Sequence, residues 1–187
     1  MIFSAIEIFE IVVTVLAIGY IFSGLLQRPR IESEFTYGRK RFDWQDIKYS
    51  AIVAAPAVIF HEFAHKFAAM AFGYTATYKA SYFGLLLGAV LRAFGSGIIF
   101  FIPGYVSVSG SASPGSFALV ALAGPLTNLL LFGFSHLALE KNFFPKYARI
   151  LYITKKINMW LFIFNMLPIP GFDGYKVYSG LFNVLTG

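Results

Sequence analysis

The chain has 187 residues and is strongly apolar: 58% of them are hydrophobic and only 13% are charged. A soluble domain carries about 25% charged residues, so this composition excludes an ordinary soluble protein and predicts an integral membrane protein. The absence of cysteine excludes disulfides, thiolate zinc ligands and a cysteine nucleophile. The net charge of +6 does not indicate nucleic acid as a partner, because the sequence contains no compact basic patch interleaved with aromatic residues.

Four segments approach the roughly 20 apolar residues that a bilayer crossing requires. They lie at about residues 2–26, 51–72, 117–139 and 150–168, and basic connectors separate the first from the second and the third from the fourth. Glu7 and Glu10 fall at the start of the first segment, where we expect them near a membrane interface. The sequence therefore predicts an all-α polytopic protein of the cell membrane, with a single domain over residues 1–187 embedded in the lipid bilayer.

Residues 73–115, between the second and third segments, follow a different pattern. Residues 75–82 and 105–109 alternate in the manner of short strands. Between them, residues 83–102 are apolar but are interrupted by four glycines and by Arg92. We expect a small membrane-associated β or re-entrant insert and about four core spans, or up to six if residues 83–102 cross twice.

The second apolar segment contains the motif HEFAH at residues 61–65. Residues four apart lie on one face of a helix, so His61 and His65 can bind one Zn²⁺ together. Glu62 follows the first histidine and is suited to act as general base for a water activated by the metal. This pattern is typical of zinc proteases, but here it lies in a segment predicted to cross the membrane.

A hydrolytic zinc site usually has three protein ligands, so one ligand remains to be found. His136 is the only other histidine, and a lone histidine late in an apolar helix is more often a packing or interfacial residue. Of the nine acidic residues, all except Glu62 and Asp173 lie in connectors or near span ends. Asp173 follows Pro168 and Pro170, where unwound backbone at membrane depth must be buried in protein or line a cavity. An ionisable residue in such a place is a functional candidate, and Asp173 is the preferred third ligand.

The direction of the spans adds a further expectation. If residues 73–115 begin and end on one side of the membrane, the second and fourth spans run in the same direction, and Asp173 can meet His61 and His65. A single crossing by this insert would move Asp173 to the opposite face. A metal site therefore favours an insert that does not cross, or that crosses twice.

Three motifs together resemble those of the site-2 protease family of intramembrane zinc metalloproteases. They are HEFAH at residues 61–65, GPLTN at 124–128 and NMLPIPGFDG at 165–174. The resemblance implies one zinc ion held by His61, His65 and Asp173, with Glu62 as general base.

The resemblance also implies how a substrate is handled. Asn165 matches the position thought to steady the scissile carbonyl, and Asn128 matches a position where packing and catalysis are both open roles. The strands of the insert match those thought to bind locally unwound substrate by edge pairing. We therefore expect a zinc endopeptidase that cleaves transmembrane or membrane-adjacent segments of other membrane proteins. The alternative is a non-catalytic membrane adaptor or a metal-handling protein on the same scaffold.

Two arguments about sidedness disagree. The connectors at residues 27–50 and 140–156 contain six and five Lys or Arg residues, against three on the other side, namely Lys79, Arg92 and Lys176. The positive-inside rule makes these connectors cytoplasmic and turns the site outward. The resemblance implies a site that faces the cytoplasm, and we favour that orientation because inserts can mislead a charge count.

Overall fold

A computed structural model describes residues 2–26, 42–95, 102–110 and 113–187, in six α-helices and two strands. The helices are α1 (Ala5–Phe22), α2 (Trp44–Ala71), α3 (Tyr82–Ala93), α4 (Pro114–Glu140), α5 (Ala148–Asn165) and α6 (Asp173–Thr186), and the strands are β1 (Thr75–Ala80) and β2 (Gly104–Ser109). A single 3₁₀ turn, Pro145–Tyr147, leads into α5. Most of the first predicted connector, residues 27–41, lies outside the described residues, as do residues 96–101 and 111–112.

Three of the described helices, α1, α2 and α4, are long and apolar enough to cross a membrane. Their outer faces expose large apolar side chains, such as Phe9 and Leu16 on α1 and Leu130 on α4, as expected of surfaces that contact lipid. The prediction of an all-α membrane protein with a small β insert is confirmed. The predicted fourth span differs: α5 is as long as α1, at 18 residues, but it is not among the helices apolar enough to cross a membrane, and it carries Arg149, Lys155 and Lys156.

Helices α2 and α4 form the centre of the fold, where α2 packs against α1, α4 and α5, and α4 packs against α5 and α6. The contact between α1 and α2 is close because Gly19 has no side chain; a Cβ there would lie 2.9 Å from the carbonyl oxygen of Ile47. Ile18 and Val58 belong to a fully apolar cluster at this contact. Such packing fixes α2, which carries the HEFAH motif, within the bundle.

The insert after α2 is an antiparallel β-hairpin with a helix in its loop. Strands β1 and β2 pair in a register that places Thr75 opposite Ser109 and Ala80 opposite Gly104. Helix α3 has 12 residues, about 18 Å, which is too short to span a bilayer. Because the strands pair along their whole length, the insert leaves α2 and returns to α4 at one place, as the non-crossing expectation requires. Part of the predicted 83–102 region, residues 96–101, lies outside the described residues.

Candidate metal centre

The candidate site is formed where α2, α4 and the start of α6 meet. His61 and His65 lie one turn apart in α2, and Asp173 is the first residue of α6. The Asp173 Oδ2 atom lies 3.1 Å from His61 Nε2 and 3.0 Å from His65 Nε2, and the two Nε2 atoms are 3.1 Å apart. All three residues are buried. The structure thus brings together two histidines and an aspartate that lies 108 residues or more further along the chain.

The other nitrogen of each imidazole determines how the ring is protonated. His61 Nδ1 donates a hydrogen bond to Asn128 Oδ1 at 2.6 Å, and His65 Nδ1 donates to the carbonyl oxygen of Val120 at 2.8 Å. Since both acceptors are carbonyl oxygens, both Nδ1 atoms carry a proton. In the neutral imidazoles the Nε2 lone pairs therefore face each other and Asp173. A metal-binding histidine commonly donates its second N–H to an amide or backbone oxygen in this manner.

The Nε2 atoms of His61 and His65 and the Oδ2 atom of Asp173 are therefore three electron-pair donors that lie 3.0–3.1 Å from one another. An ionised carboxylate beside two Nε2 lone pairs is favourable only when a proton or a metal ion lies between them. Neighbouring ligand atoms on a tetrahedral zinc are about 3.3–3.6 Å apart for ligand distances of about 2.0–2.2 Å. The observed triangle fits such an ion after a small outward movement.

Asn128 holds the position and orientation of the His61 ring. Its Nδ2 donates to the carbonyl oxygen of Ala57 at 3.0 Å and to Asn158 Oδ1 at 2.9 Å, so its Oδ1 is directed towards His61. The amide of Asn158 in turn donates to the carbonyl oxygen of Thr154. Both asparagines are 0% exposed. Asn128 is therefore a support of a candidate ligand, whereas sequence reasoning left its role open between packing and catalysis.

Two glycines allow the three candidate ligands to converge. A Cβ on Gly124 of α4 would lie 2.3 Å from His65 Nε2 and 2.7 Å from His61 Cε1. A Cβ on Gly174, next to Asp173, would lie 2.5 Å from the carbonyl oxygen of Met166 at the end of α5. Any side chain at these positions would collide with an imidazole ring or with backbone. The glycines of the second and third sequence motifs thus have a direct steric role at the site.

The two predicted catalytic residues occupy different settings. Glu62 is buried beside His61 in α2, and no described residue forms a hydrogen bond with its carboxylate. Asn165 is the last residue of α5, and its amide donates to the carbonyl oxygen of Leu161 at 3.0 Å. The hydrogen bond of Asn165 is therefore directed along its own helix, and the structure does not place its side chain among the metal-ligand atoms.

The alternative third ligands lie elsewhere. His136 is exposed on α4 and accepts a hydrogen bond from Lys155 at 3.1 Å, and Glu140 is exposed at the end of the same helix. Over the described ranges, His61, His65 and Asp173 form the only group of three His, Cys, Asp or Glu residues close enough to hold one metal ion. The preference for Asp173 over His136 and Glu140 agrees with this geometry.

Comparison with known proteins gives two relatives. A protein of Methanocaldococcus jannaschii named "Putative zinc metalloprotease MJ0611" is 36% identical over 180 residues, which cover 94% of this chain and 84% of that protein. The chain belongs to this zinc metalloprotease family. A Bacillus subtilis protein named "Putative zinc metalloprotease YwhC" is 36% identical over 73 residues, 34% of this chain and 33% of that protein. No protein-family model matches the chain, and no solved structure matches it.

One residue of the site in this metalloprotease family member, Asn158, was missed by sequence reasoning. It lies at the fourth predicted span, outside all three motifs, and is buried where neighbouring positions of α5 are only half-buried or exposed. A polar amide in an apolar helix is the signal that could have identified it, since such groups are rarely left without partners. Its particular partner, Asn128, is 30 residues away and follows only from how α4 and α5 pack.

Proposed function

We propose that the chain is an intramembrane zinc endopeptidase that cleaves transmembrane or membrane-adjacent segments of other membrane proteins. The observation that carries this proposal is the convergence of His61, His65 and Asp173 around one point, with two of the three on an apolar helix long enough to cross a membrane. The family relationship supports the chemistry, and the apolar surface of α2 and its neighbours supports the membrane location.

One zinc ion would be held by His61 Nε2, His65 Nε2 and an oxygen of Asp173. This donor set of two imidazoles and one carboxylate is that of hydrolytic zinc sites, which keep one position open. When bound, zinc supplies a Lewis acid that makes water a nucleophile near neutral pH. Lys176, whose Nζ lies 3.5 Å from Asp173 Oδ1, offsets part of the charge on the oxygen that does not face the histidines.

Glu62 would act as the general base. Its carboxylate is adjacent to the candidate ligands and is not engaged by a hydrogen bond from the described residues, so it is free to take a proton from the attacking water. The same carboxylate can then deliver that proton to the nitrogen of the leaving peptide. Neither zinc binding nor helix packing requires an acid at this position, which favours a hydrolase over a metal-binding scaffold.

The substrate must present an extended backbone, because a helix hides its carbonyls in its own hydrogen bonds. We propose that a transmembrane segment unwinds locally, pairs with the edge of the β1–β2 sheet, and exposes one carbonyl to the site. Asn165 would then release Leu161 and donate to that carbonyl as negative charge develops on its oxygen. This proposal does not include nucleic acid as a partner. The lipid bilayer is a partner, because it holds both the enzyme and its substrate.

The proposal is tested by replacing Glu62 with Gln. We expect cleavage of reporter proteins with a single transmembrane segment to fall at least about 100-fold, since general acid–base catalysis contributes about 10²–10⁴. Zinc content, measured by elemental analysis of the purified protein, should stay at one ion per chain. Glu140→Gln makes the same chemical change at the exposed end of α4 and should retain full cleavage.

Two results would overturn this mechanism. Undiminished cleavage by Glu62→Gln would exclude Glu62 as the base. Loss of both bound zinc and cleavage in Glu62→Gln would mean that Glu62 contributes to metal binding rather than to the reaction. A variant that binds zinc, cleaves nothing and still performs the cellular role of the chain would favour the adaptor or metal-handling alternative.

We further propose that the site opens towards the cytoplasm. The chain contains no cysteine, so single cysteines introduced at Thr77 in β1 and at Lys146 before α5 give unambiguous labels. A membrane-impermeant maleimide applied to intact cells should label the cysteine at 146 and not the one at 77. The reverse pattern would make the site face outward, as the charge count indicates.

A further inference from the structure

The edge of β1 that faces away from β2 is occupied by charged side chains of α1 and α2. The N–H of Tyr78 donates to Glu7 Oε1 at 2.8 Å, and the N–H of Ala80 donates to Glu10 Oε2 at 2.9 Å. Lys66 Nζ donates to the carbonyl oxygen of Ala76 at 2.8 Å. The three side chains take the positions that a neighbouring strand would fill. We call Glu7, Glu10 and Lys66 the edge clamp.

The core of the edge clamp is a buried ion pair. Glu7 is 4% exposed, Lys66 is 2% exposed, and Lys66 Nζ lies 2.5 Å from Glu7 Oε1. We expected Glu7 near a membrane interface; its side chain is not solvated but is buried and directed inward to β1. Two apolar residues of similar volume would pack α1 against α2 without the free-energy cost of burying charges. What only the polar pair provides is hydrogen bonding to the backbone of β1.

The hydrogen bonds from β1 to α1 also show which backbone groups of β2 face outward. Tyr78 and Ala80 direct their N–H groups away from β2, so the bonds between the strands come from alternate residues. In an antiparallel pair, the residues opposite outward-facing residues also face outward. Their partners are Val106 and Gly104. The backbone groups of these two residues lie on the outer edge of β2, and in the part of the chain that the structure describes no third strand pairs there.

The edge clamp joins the sheet to the helix that carries the metal ligands. Lys66 directly follows His65 in α2, so a shift of β1 would be transmitted to the turn that holds this candidate ligand. The Tyr78 ring is buried against α1, with its hydroxyl 2.7 Å from Thr14 Oγ1. Burial raises the pKa of Tyr78 to about 12, and the nearby charge of Glu62 acts in the same direction. The sheet is therefore held against both α1 and α2.

We propose that Glu7, Glu10 and Lys66 are positioning residues that close the outer edge of β1 and fix the sheet relative to the metal centre. A peptide that pairs with the sheet is thereby confined to the outer edge of β2. This inference rests on the proposed function, because it assigns a place to the substrate of the same site.

Two hydroxamates distinguish the metal centre from the sheet edge. Acetohydroxamate contacts only the metal, whereas an acetylated tetraleucine hydroxamate adds an extended backbone that needs an edge to pair with. Binding is titrated with the cobalt-loaded 187-residue chain in detergent through the visible absorption of Co²⁺, so the readout does not depend on activity. We expect the wild-type protein to bind the tetraleucine compound at least about tenfold more tightly, the equivalent of about 1.4 kcal/mol.

Matched variants separate the hydrogen bonds of the clamp from its volume and charge. The apolar pair E7L/K66M fills the space but cannot bond to β1, and we expect it to lose the preference for tetraleucine hydroxamate while acetohydroxamate binding is unchanged. The amide pair E7Q/K66Q is uncharged but keeps a donor and acceptors, and we expect it to retain the preference. Ser50→Ala removes a part-buried hydrogen bond from α2 to the carbonyl oxygen of Leu26, in the segment after α1. This bond does not touch β1, so the substitution should change neither affinity.

The inference is overturned if E7L/K66M binds both compounds as the wild type does, or loses affinity for both equally. A wild-type protein that binds neither cobalt nor acetohydroxamate would instead refute the proposed metal centre. Amide hydrogen exchange of the metal-free protein tests the clamp in that event. Exchange at Tyr78, whose N–H donates to Glu7, should accelerate in E7L/K66M and stay slow in E7Q/K66Q and in Ser50→Ala. Unchanged exchange at Tyr78 in the apolar pair would exclude the clamp.

Discussion

Gly124 gives a sharp test of the metal centre, because α4 leaves no space for a side chain beside the two imidazoles. A Cβ in Gly124→Ala would lie 2.3 Å from His65 Nε2 and 2.6 Å from His65 Cε1. Non-bonded heavy atoms approach to about 3.5 Å, so the His65 ring would have to move by about 1 Å. A preorganised site tolerates about 0.5 Å. We therefore expect the affinity for zinc to fall by about 10- to 100-fold, the range found when support of a ligand is lost.

The assay is competition for zinc between the purified protein and a chromophoric chelator, with thermal unfolding measured in parallel. Gly133→Ala is the matched control, since it lies on the same helix and a Cβ there would have nothing within 4 Å. Alanine favours helix over glycine by about 1 kcal/mol, so this control should bind zinc normally and unfold at the same or a higher temperature. Wild-type zinc affinity in Gly124→Ala would refute the close packing of α4 on both histidines.

Two further substitutions test the supports of the other ligands. Asn128→Leu removes the oxygen that accepts from His61 Nδ1, and calorimetric titration should show zinc affinity lowered about 10- to 100-fold. Asn128→Asp keeps the acceptor and should lose less zinc affinity. Equal losses in the two variants would assign the effect to packing. Gly174→Ala would place a Cβ 2.5 Å from the backbone of Met166 and displace Asp173, so both zinc affinity and the unfolding temperature should fall. Its control is Gly115→Ala, whose Cβ would make an ordinary contact at 3.5 Å. Equal zinc affinities and equal unfolding temperatures in the two variants would contradict the steric argument.

Local patterns in the sequence are sufficient for the parts of the site that depend on spacing or elimination. A separation of four residues places His61 and His65 on one helix face. So few acids are available that Asp173, beside Pro168 and Pro170, is the preferred candidate for the third ligand. The alternation of residues 75–82 and 105–109 likewise predicts the strands β1 and β2. These inferences need no knowledge of the fold, because each depends on a short-range rule or on the small number of candidates.

Features that depend on which helices and strands pack together cannot be predicted from local sequence patterns. Glu7 reads as an interfacial acid from its place near the start of an apolar helix, and only the fold shows that it reaches the backbone of β1. Helix α6 is not among the predicted elements, because Pro168 and Pro170 indicate where a span ends rather than a helix that begins at Asp173. In the prediction of a fourth span, the charges in α5 were outweighed by the apolar run that follows them.

The hydrogen bonds between α2 and α4 have a consequence for how such a protein assembles in lipid. His65 of α2 donates to the backbone of Val120 in α4, and Asn128 of α4 donates to the backbone of Ala57 in α2, so each helix lends a side chain to the main chain of the other. In a bilayer, where apolar surfaces gain nothing by leaving lipid, such polar ties help to hold helices together. Besides being candidate ligands, His61 and His65 therefore help to hold α2 against α4. Replacing them with alanine would loosen the bundle as well as empty the site, whereas Glu62 carries no such tie.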